Sequence, residues 1–305
     1  MIKKTLYFEN PAYLSLKNRQ LVIKIPEVEN NESLPKKFTS DFTRTIPIED
    51  IGIIILDNKQ ITITQGTLEA LLANNSSIIT CDENRMPVGL MLPLCGNTIQ
   101  NERFRDQLNA SIPLKKQLWQ QTIQIKISNQ AATLKNKRGV EVRNMLKWAN
   151  DVKSGDKTNL EARAAVYYWS NLFNNFKRDR TGEPPNNFLN YGYAILRAVV
   201  ARGLVTSGLL PTTGIHHQNR YNAYCLADDI MEPYRPYIDN LVAEMFDNGE
   251  YELNKQAKQK LLSIPVIDVN INGQRSPLMI AVGLTTSSLY KCFNGNNRKI
   301  LYPEL

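Results

Sequence analysis

The chain has 305 residues, and its 37 lysines and arginines outnumber 29 aspartates and glutamates to give a formal net charge of +8. Hydrophobic residues make up 42% and charged residues 22%, a balance typical of globular proteins that excludes wholesale disorder. No apolar run approaches the ~20 residues of a membrane-spanning helix, and the start lacks the apolar stretch of a secretory signal. We therefore expect a cytoplasmic protein without a membrane partner, and a chain of this length usually forms two domains.

The first hundred residues contain short apolar runs rich in β-branched side chains, separated by polar turn residues. This pattern predicts a small β-rich domain. The polar breaks at 57–59 and 82–84 are typical of hairpin connections. We place the end of this domain at Gly96, so that it spans 1–96. The predicted strands are 4–8, 20–25, 51–56, 61–64, 77–81 and 87–92, with one short helix at 67–74.

From residue 101 onward the apolar residues take up helical spacing. We expect the second domain, 97–305, to be all helical. Helix-breaking segments that contain glycine or proline separate the helices, for example residues 182–185, residues 211–214 and the Asn272-Gly273 pair. The predicted class is therefore α+β, with a small β-rich domain followed by a larger helical domain. The predicted helices are 101–135, 140–152, 159–175, 186–207, 222–247, 253–262 and 276–293.

The positive charge is concentrated between residues 101 and 150, where ten basic residues minus three acidic residues leave +7. A segment of this density is able to follow a phosphate backbone. A solvated basic helix face has the same composition, so charge alone does not establish nucleic-acid binding.

The four cysteines do not form a recognisable metal or disulfide motif. They lie far apart in sequence, without a C-x-x-C pair, which argues against the common zinc ribbons and disulfide frameworks. The sequence also lacks a phosphate-cradling glycine loop and a G-x-S-x-G elbow. The cysteines are Cys81, Cys95, Cys225 and Cys292.

Three carboxylates lie close together in the predicted helix 222–247. Asp228 or Asp229 shares a helix face with Glu232. Because carboxylates at this distance repel, they require a nearby cation such as Arg235, or a divalent metal ion. Surface acidity and a metal site both remain open from this segment alone. The proline that follows Glu232 is expected to kink the helix there.

The chain has two histidines, and they are adjacent, at His216 and His217. In an extended backbone their rings point in opposite directions, so at most one faces a given site. The acidic segment begins about a dozen residues later, and a loop-to-helix return brings the two together. A hydrogen-bonded structural histidine is the alternative explanation.

Glu161 begins a predicted helix whose other residues are mostly small or aromatic. A carboxylate in such surroundings requires a counter-charge, which Arg163 or a metal ion would supply. A glutamate in the first turn is also favourable for the helix dipole alone, so a purely structural role stays open.

Four segments together resemble the CRISPR adaptation integrases, the first-numbered family of Cas proteins. The segment Met231–Pro236 is most similar to the corresponding segment of the variant found in type II systems. The resemblance implies the two-domain architecture predicted above. The segments are Glu161-Ala162 with Ala164-Ala165, Asn190–Ala194, Pro211–His217 and Leu226–Pro236.

The resemblance further implies that Glu161, His217 and Glu232 are catalytic and bind a divalent metal ion. Two carboxylates and an imidazole suit Mg²⁺ or Mn²⁺ better than zinc. The family often has aspartate where Glu232 stands, with a second aspartate three residues earlier. Asp229 matches that second aspartate and is either a ligand or a group that orients one.

The implied reaction is the insertion of captured foreign DNA fragments, or spacers, into a CRISPR array, by attack of a 3′-hydroxyl on a phosphodiester. The implied partners are double-stranded DNA from the fragment and the repeat, a second copy of the chain bound through the β-rich domain, and a small ferredoxin-like second adaptation protein. Type II systems add an end-binding protein and the effector nuclease. Two alternatives remain: a stand-alone metal-dependent nuclease of branched DNA, and a non-catalytic DNA-binding scaffold.

Overall fold

The computed structural model describes residues 2–25, 43–179 and 182–305. The chain divides into two compact units, Met1–Gly96 and Asn97–Leu305. Strands dominate the first and helices the second, which confirms the mixed α+β class. Among the described residues, no helix combines the length and the apolar character that are needed to cross a membrane.

The described residues of the first unit form two four-stranded sheets and one α-helix. Its elements are β1 (Lys4–Phe8), β2 (Tyr13–Lys17), β3 (Gln20–Lys24), β4 (Arg44–Pro47), β5 (Ile51–Leu56), β6 (Thr62–Ile63), α1 (Gln65–Ala73), β7 (Ser77–Cys81) and β8 (Pro87–Met91). The sequence pattern missed β2 and β4. Both are short, and β2 fully buries only Leu14, so neither contains a long apolar run.

Both sheets are mixed, but one is mainly parallel and the other mainly antiparallel. One has the order β1-β5-β7-β8, in which β1, β5 and β7 are parallel and β8 is antiparallel. The other has the order β4-β3-β2-β6, with β6 parallel to β2. The break at 82–84 does connect a hairpin, β7 to β8, as predicted. The break at 57–59 does not, because β5 and β6 belong to different sheets.

The core of this unit is formed by buried aliphatic side chains from both sheets and from α1. Strand β5 is central in its sheet, and an uninterrupted apolar run is typical of a strand with both faces covered. Its first five residues are all buried. The fully or nearly fully buried core residues include Leu14, Leu21, Ile51, Ile54, Leu71 and Ile78.

The helices of the second unit follow in chain order. They are α2 (Gln100–Asn109), α3 (Ile112–Arg138), α4 (Arg143–Asp151), α5 (Leu160–Leu172), α6 (Asn186–Thr206), α7 (Cys225–Met231), α8 (Arg235–Asp247), α9 (Lys255–Leu261) and α10 (Leu278–Phe293). A single 3₁₀ turn, Glu232–Tyr234, joins α7 to α8. The break predicted after Glu232 is confirmed, because Pro233 lacks the amide hydrogen that a continuous helix requires.

The long helix α3 is the element against which α4, α5 and α8 pack. The single helix predicted at 101–135 is wrong, because the chain breaks at Ser111. The Ser111 hydroxyl accepts the amide hydrogen of Leu114 at 3.3 Å, and a proline occupies the first turn, so a new helix begins here. Gly139, with φ of 63°, ends α3 in the left-handed conformation.

The second unit is not all helical, which corrects the prediction for 97–305. It contains a three-stranded antiparallel sheet of β9 (Asp268–Ile271), β10 (Gln274–Pro277) and β11 (Pro303–Glu304), in the order β10-β9-β11. The Asn272-Gly273 pair, interpreted above as a helix breaker, is the turn of this hairpin. Its φ values of 52° and 72° are those of a two-residue turn that matches strand twist.

Candidate active site

Asp229 on α7 holds the histidine loop in place. The carboxylate is fully buried and accepts the main-chain amide hydrogens of Ile215 at 2.7 Å, His216 at 2.9 Å and His217 at 3.2 Å. Gly214 is required here, since an added Cβ would lie 2.7 Å from the Asp229 carboxylate and 2.4 Å from a main-chain oxygen. The loop-to-helix return predicted from the sequence is therefore present.

His217 is bonded to the same carboxylate through its ring. Its Nδ1 lies 2.5 Å from Asp229 Oδ1, and its side chain is 45% exposed. This hydrogen bond is the main reason why the pKa of His217 is raised, and burial opposes it. A proton held on Nδ1 leaves the lone pair of Nε2 available for a ligand.

His216 is held by a tryptophan of α3. Its ring stacks on Trp119, with the centroids 4.1 Å apart, and His217 meets the same tryptophan edge-on at 5.6 Å. Burial lowers the pKa of His216, which favours the neutral ring. The condition set above for rings that point in opposite directions, an extended backbone, is not met, because His216 lies in a bend and not in a strand. Both rings contact Trp119.

Lys126, in the middle of α3, brings two distant carboxylates together. Its Nζ lies 2.6 Å from Glu161 Oε1 and 2.6 Å from Glu232 Oε2. Burial lowers the pKa of Lys126, but the charges of Glu232 and Glu161 outweigh it and the net pKa is raised. The lysine is thus a charged ammonium that bridges two of the residues predicted to bind metal.

Glu232 lies in the 3₁₀ turn after α7 and has two cations beside it. Arg235 Nε is 2.9 Å from Glu232 Oε1, whereas Lys126 contacts Oε2, and the side chain of Glu232 is 7% exposed. Burial would raise the pKa of Glu232, but Arg235 and Lys126 together lower it. The cation that the sequence proposed for this segment, Arg235, therefore does pair with Glu232.

Glu161 is positioned by a cap at the start of α5. The two carboxylate oxygens of Asp156 accept the amide hydrogens of Leu160 and Glu161, each at 3.0 Å. The counter-charge for Glu161 is Lys126. The alternative cation, Arg163, instead lies over the ring of Trp148 at 4.7 Å.

Asp228 takes no part in this cluster. Its oxygens accept hydrogen bonds from Arg197 at 2.7 and 3.1 Å and from the side chain of Asn222 at 2.7 Å. The three carboxylates of the acidic segment thus have three different functions: Asp228 forms a partly buried ion pair with Arg197, Asp229 anchors the histidines, and Glu232 joins Lys126.

The donor set fits a hard divalent cation. Within the described ranges, no three His, Cys, Asp or Glu side chains already stand as a metal-binding group. Glu161 and Glu232 nevertheless meet at one cation, and Glu232 Oε2 is buried without a partner in hydrogen-bond geometry, even at 2.6 Å from the ammonium. The charges of both glutamates also contribute to the raised pKa of His217, after the larger effect of Asp229. Carboxylate oxygens and one imidazole are ligands that suit Mg²⁺ or Mn²⁺.

Lys126 and Trp119 were not identified from the sequence as parts of the site. For the lysine, the sequence does contain a signal, which is its position on the apolar face of a helix. Lys126 falls at helical spacing among Trp119, Ile123 and Ile127, which are all buried. A charged residue on the apolar face of a helix requires a buried partner of opposite charge. Lys126 was instead counted among the ten basic residues of the segment 101–150.

Comparisons with known proteins show the family to which the chain belongs. The sequence profile of the family described as CRISPR associated protein Cas1 matches residues 6–264. A CRISPR-associated endonuclease Cas1 from Neisseria meningitidis serogroup C is 36% identical, over 100% of this chain and 97% of that protein. A casposase bound to integration product has a similar fold, with a TM-score of 0.78 at 19% identity, covering 98% of this chain and 92% of that one. A Cas6-RT-Cas1–Cas2 complex has a TM-score of 0.74 at 17% identity, covering 99% of this chain and 36% of that one. The chain therefore belongs to the Cas1 family of CRISPR-associated proteins.

Proposed function

We propose that this Cas1-family protein is a metal-dependent DNA integrase and endonuclease that inserts captured DNA fragments into a CRISPR array. The observation that carries the proposal is the convergence of Glu161 and Glu232 on a single cation, beside a histidine whose Nδ1 is held by Asp229. The identity to the Neisseria meningitidis endonuclease over the whole chain supports the activity and the type II variant.

Glu161, His217 and Glu232 would hold Mg²⁺ or Mn²⁺, with Asp229 orienting the imidazole from behind. When bound, such an ion polarises the phosphodiester and stabilises the oxygen that leaves. The chain itself keeps the Nδ1–H of His217 hydrogen-bonded to Asp229. Arg235 and Lys126 lower the pKa of Glu232 and so maintain it as a carboxylate. The attacking group is the 3′-hydroxyl of the fragment, so no covalent protein nucleophile is required.

Positive charge lies next to the histidine loop, where DNA would approach. A cavity of about 200 Å³ has Lys115, Lys116 and His216 in its wall. A second cavity, of about 350 Å³, shares Lys116 and adds Lys153 and Lys157. Lysines grouped in this way favour a phosphate backbone.

Some basic residues of the +7 segment have other functions. Arg103 donates to the main-chain oxygen of Ser207 at 2.8 Å, and Arg138 pairs with Asp247 at 2.7 Å. The exposed basic side chains of the segment are Arg105, Lys116, Lys135, Arg143 and Lys147. These are available to DNA together with the half-buried Lys115 of the first cavity.

The proposed partners follow from the related assemblies. The casposase structure contains an integration product, and the Cas6-RT-Cas1–Cas2 complex contains Cas2. By analogy with these assemblies, this chain binds double-stranded DNA from the fragment and the repeat, and it binds the small second adaptation protein. We also propose a homodimer through the unit Met1–Gly96, and in a type II system an end-binding protein and the effector nuclease.

The test is strand transfer of a labelled duplex into a supercoiled plasmid that carries the repeat, with Mn²⁺ or Mg²⁺ and the second adaptation protein. Glu161→Gln removes a proposed ligand and is expected to reduce joining by about a hundredfold or more. Glu244→Gln is the matched control, because Glu244 is a carboxylate paired with Lys137 at 3.0 Å and lies outside the proposed site.

Joining by the wild type and the control, lost in Glu161→Gln, supports the integrase. Nicking without joining would favour the stand-alone nuclease, in which water replaces the 3′-hydroxyl. Equal DNA binding with neither activity would favour the scaffold.

A further inference from the structure

The ammonium of Lys126 occupies the point at which the two glutamates of the proposed metal site meet. The lysine side chain is only 11% exposed, and those of Glu161 and Glu232 are 25% and 7% exposed. The position of the ammonium fits the carboxylates of both glutamates, because Nζ lies 2.6 Å from one oxygen of each.

The charges at this point balance without a metal ion. Glu161 and Glu232 contribute two negative charges, and Lys126 and Arg235 contribute two positive charges. A divalent cation added to this set would leave a net charge of +2 in a largely buried cluster. An uncompensated buried charge is costly, so the cluster favours the exchange of one cation for another over addition.

Lys126 is the cation that can leave. Arg235 contacts Glu232 and also lies over the ring of Tyr193 at 4.5 Å, so it is held from two sides. Lys126 has a flexible four-carbon stem and retains some exposure, and an ammonium is strongly hydrated once it reaches water.

We propose that Lys126 is a built-in competitor of the divalent metal ion: it holds Glu161 and Glu232 together when metal is absent and is displaced when metal binds. This inference rests on the metal site proposed above. It gives Lys126 a positioning role, because the ammonium preserves the ligand geometry between catalytic cycles, and it lowers the affinity of the DNA-free protein for metal.

The experiment is calorimetric titration of DNA-free protein with MnCl₂, together with thermal unfolding with and without MnCl₂. Lys126→Met removes the competing charge and keeps the length of the stem. We expect it to bind Mn²⁺ about tenfold more tightly than the wild type. Without Mn²⁺ we expect its Tm to fall by about 5 to 15 °C, because two buried carboxylates lose their shared cation, and Mn²⁺ should restore it.

The control is Lys137→Met, which removes an ion-paired lysine from the same helix without touching the site; its Mn²⁺ affinity should match the wild type. Lys126→Arg keeps a positive charge and should bind Mn²⁺ no more tightly than the wild type. If Lys126→Met folds only when Mn²⁺ is added, metal replaces the ammonium and the proposal is supported. If Mn²⁺ does not restore its fold, the proposal is overturned.

Glu161→Gln separates this inference from the function on which it rests. Should Glu161→Gln bind Mn²⁺ as well as the wild type does, the proposed metal site itself is wrong and the inference fails with it. Should Glu161→Gln lose Mn²⁺ while Lys126→Met binds it no more tightly than the wild type, the metal site stands and the competitor role is refuted.

Discussion

Asp229→Asn tests whether one buried carboxylate holds the histidine loop. Asp229 accepts three main-chain amide hydrogens, at 2.7, 2.9 and 3.2 Å, and lies 2.5 Å from His217 Nδ1. Asparagine has one oxygen, so its amide nitrogen must face either the amides of Ile215 and His216 or the backbone and ring of His217. With the nitrogen toward Ile215 and His216, both amides lose their acceptor. With the nitrogen toward His217, the main-chain amide loses its acceptor, and the ring keeps a bond only by moving its proton from Nδ1 to Nε2, the atom proposed to bind metal.

The magnitude follows from these contacts. Each buried donor left without an acceptor costs about 1 to 3 kcal/mol, so the loss of one or two acceptors predicts that Asp229→Asn loses about 1 to 6 kcal/mol of unfolding free energy. For a unit of this size, at about 2 to 4 °C per kcal/mol, that is a fall in Tm of about 2 to 24 °C. A carboxylate that orients a metal-binding histidine typically changes metal affinity by about 10- to 100-fold, so Mn²⁺ binding should weaken by that factor.

The assay is thermal unfolding combined with titration of Mn²⁺, and Asp228→Asn is the matched control. Asp228 is also a buried aspartate of α7, but its oxygens bond Arg197 and Asn222 and not the histidine loop. We expect the control to lose stability and keep its Mn²⁺ affinity. An Asp229→Asn variant with wild-type Tm and wild-type Mn²⁺ affinity would refute the reasoning.

Two further predictions concern the loop and the pH dependence of the second unit. Gly214→Ala places a Cβ 2.4 Å from a main-chain oxygen and should displace the histidine loop, which strand-transfer assays would detect as lost joining in a folded protein; wild-type joining would contradict this. Asp239 is buried against the hydroxyls of Tyr168 and Tyr193, and burial raises its pKa from 3.8 to about 7. Because the folded state then binds the proton more tightly than the unfolded state, stability should fall as pH rises from about 4 to 7, by up to about 4 kcal/mol. Asp239→Asn should flatten that dependence in urea unfolding measured across this range, and an unchanged slope would contradict the assignment.

Local sequence patterns were sufficient to predict most of the strands and helices, but not the points at which a helix is interrupted or a hairpin turns. Short runs rich in β-branched residues identified β5 and β7 to the residue. The break before α3 depends on the Ser111 cap, which a search for apolar spacing passes over because the amphipathic pattern continues across it. The Asn272-Gly273 pair signals a hairpin only when the flanking residues are recognised as strands, and these were interpreted as a linker and the start of a helix.

The same distinction applies to the site. The contact between the histidines and Asp229 spans a short loop, so sequence proximity was enough to predict that the histidines meet the acidic segment, but not which carboxylate they contact. The meeting of Glu161 and Glu232 depends on Lys126, which comes from a third helix and lies 35 residues before Glu161. No local pattern encodes such a non-local ion pair. The resemblance to a known family therefore identified the two glutamates, and the packing of α3 explains how they meet.

The most direct test of the account is a crystal structure of the protein with Mn²⁺ and a fragment of duplex DNA, with the metal located by its anomalous scattering. The account predicts one anomalous peak within bonding distance, about 2.0 to 2.2 Å, of carboxylate oxygens of Glu161 and Glu232 and of His217 Nε2. Lys126 Nζ should have moved away from both glutamates. A peak at another position, or an empty cluster in which Lys126 still bridges the glutamates at saturating Mn²⁺, would contradict the account.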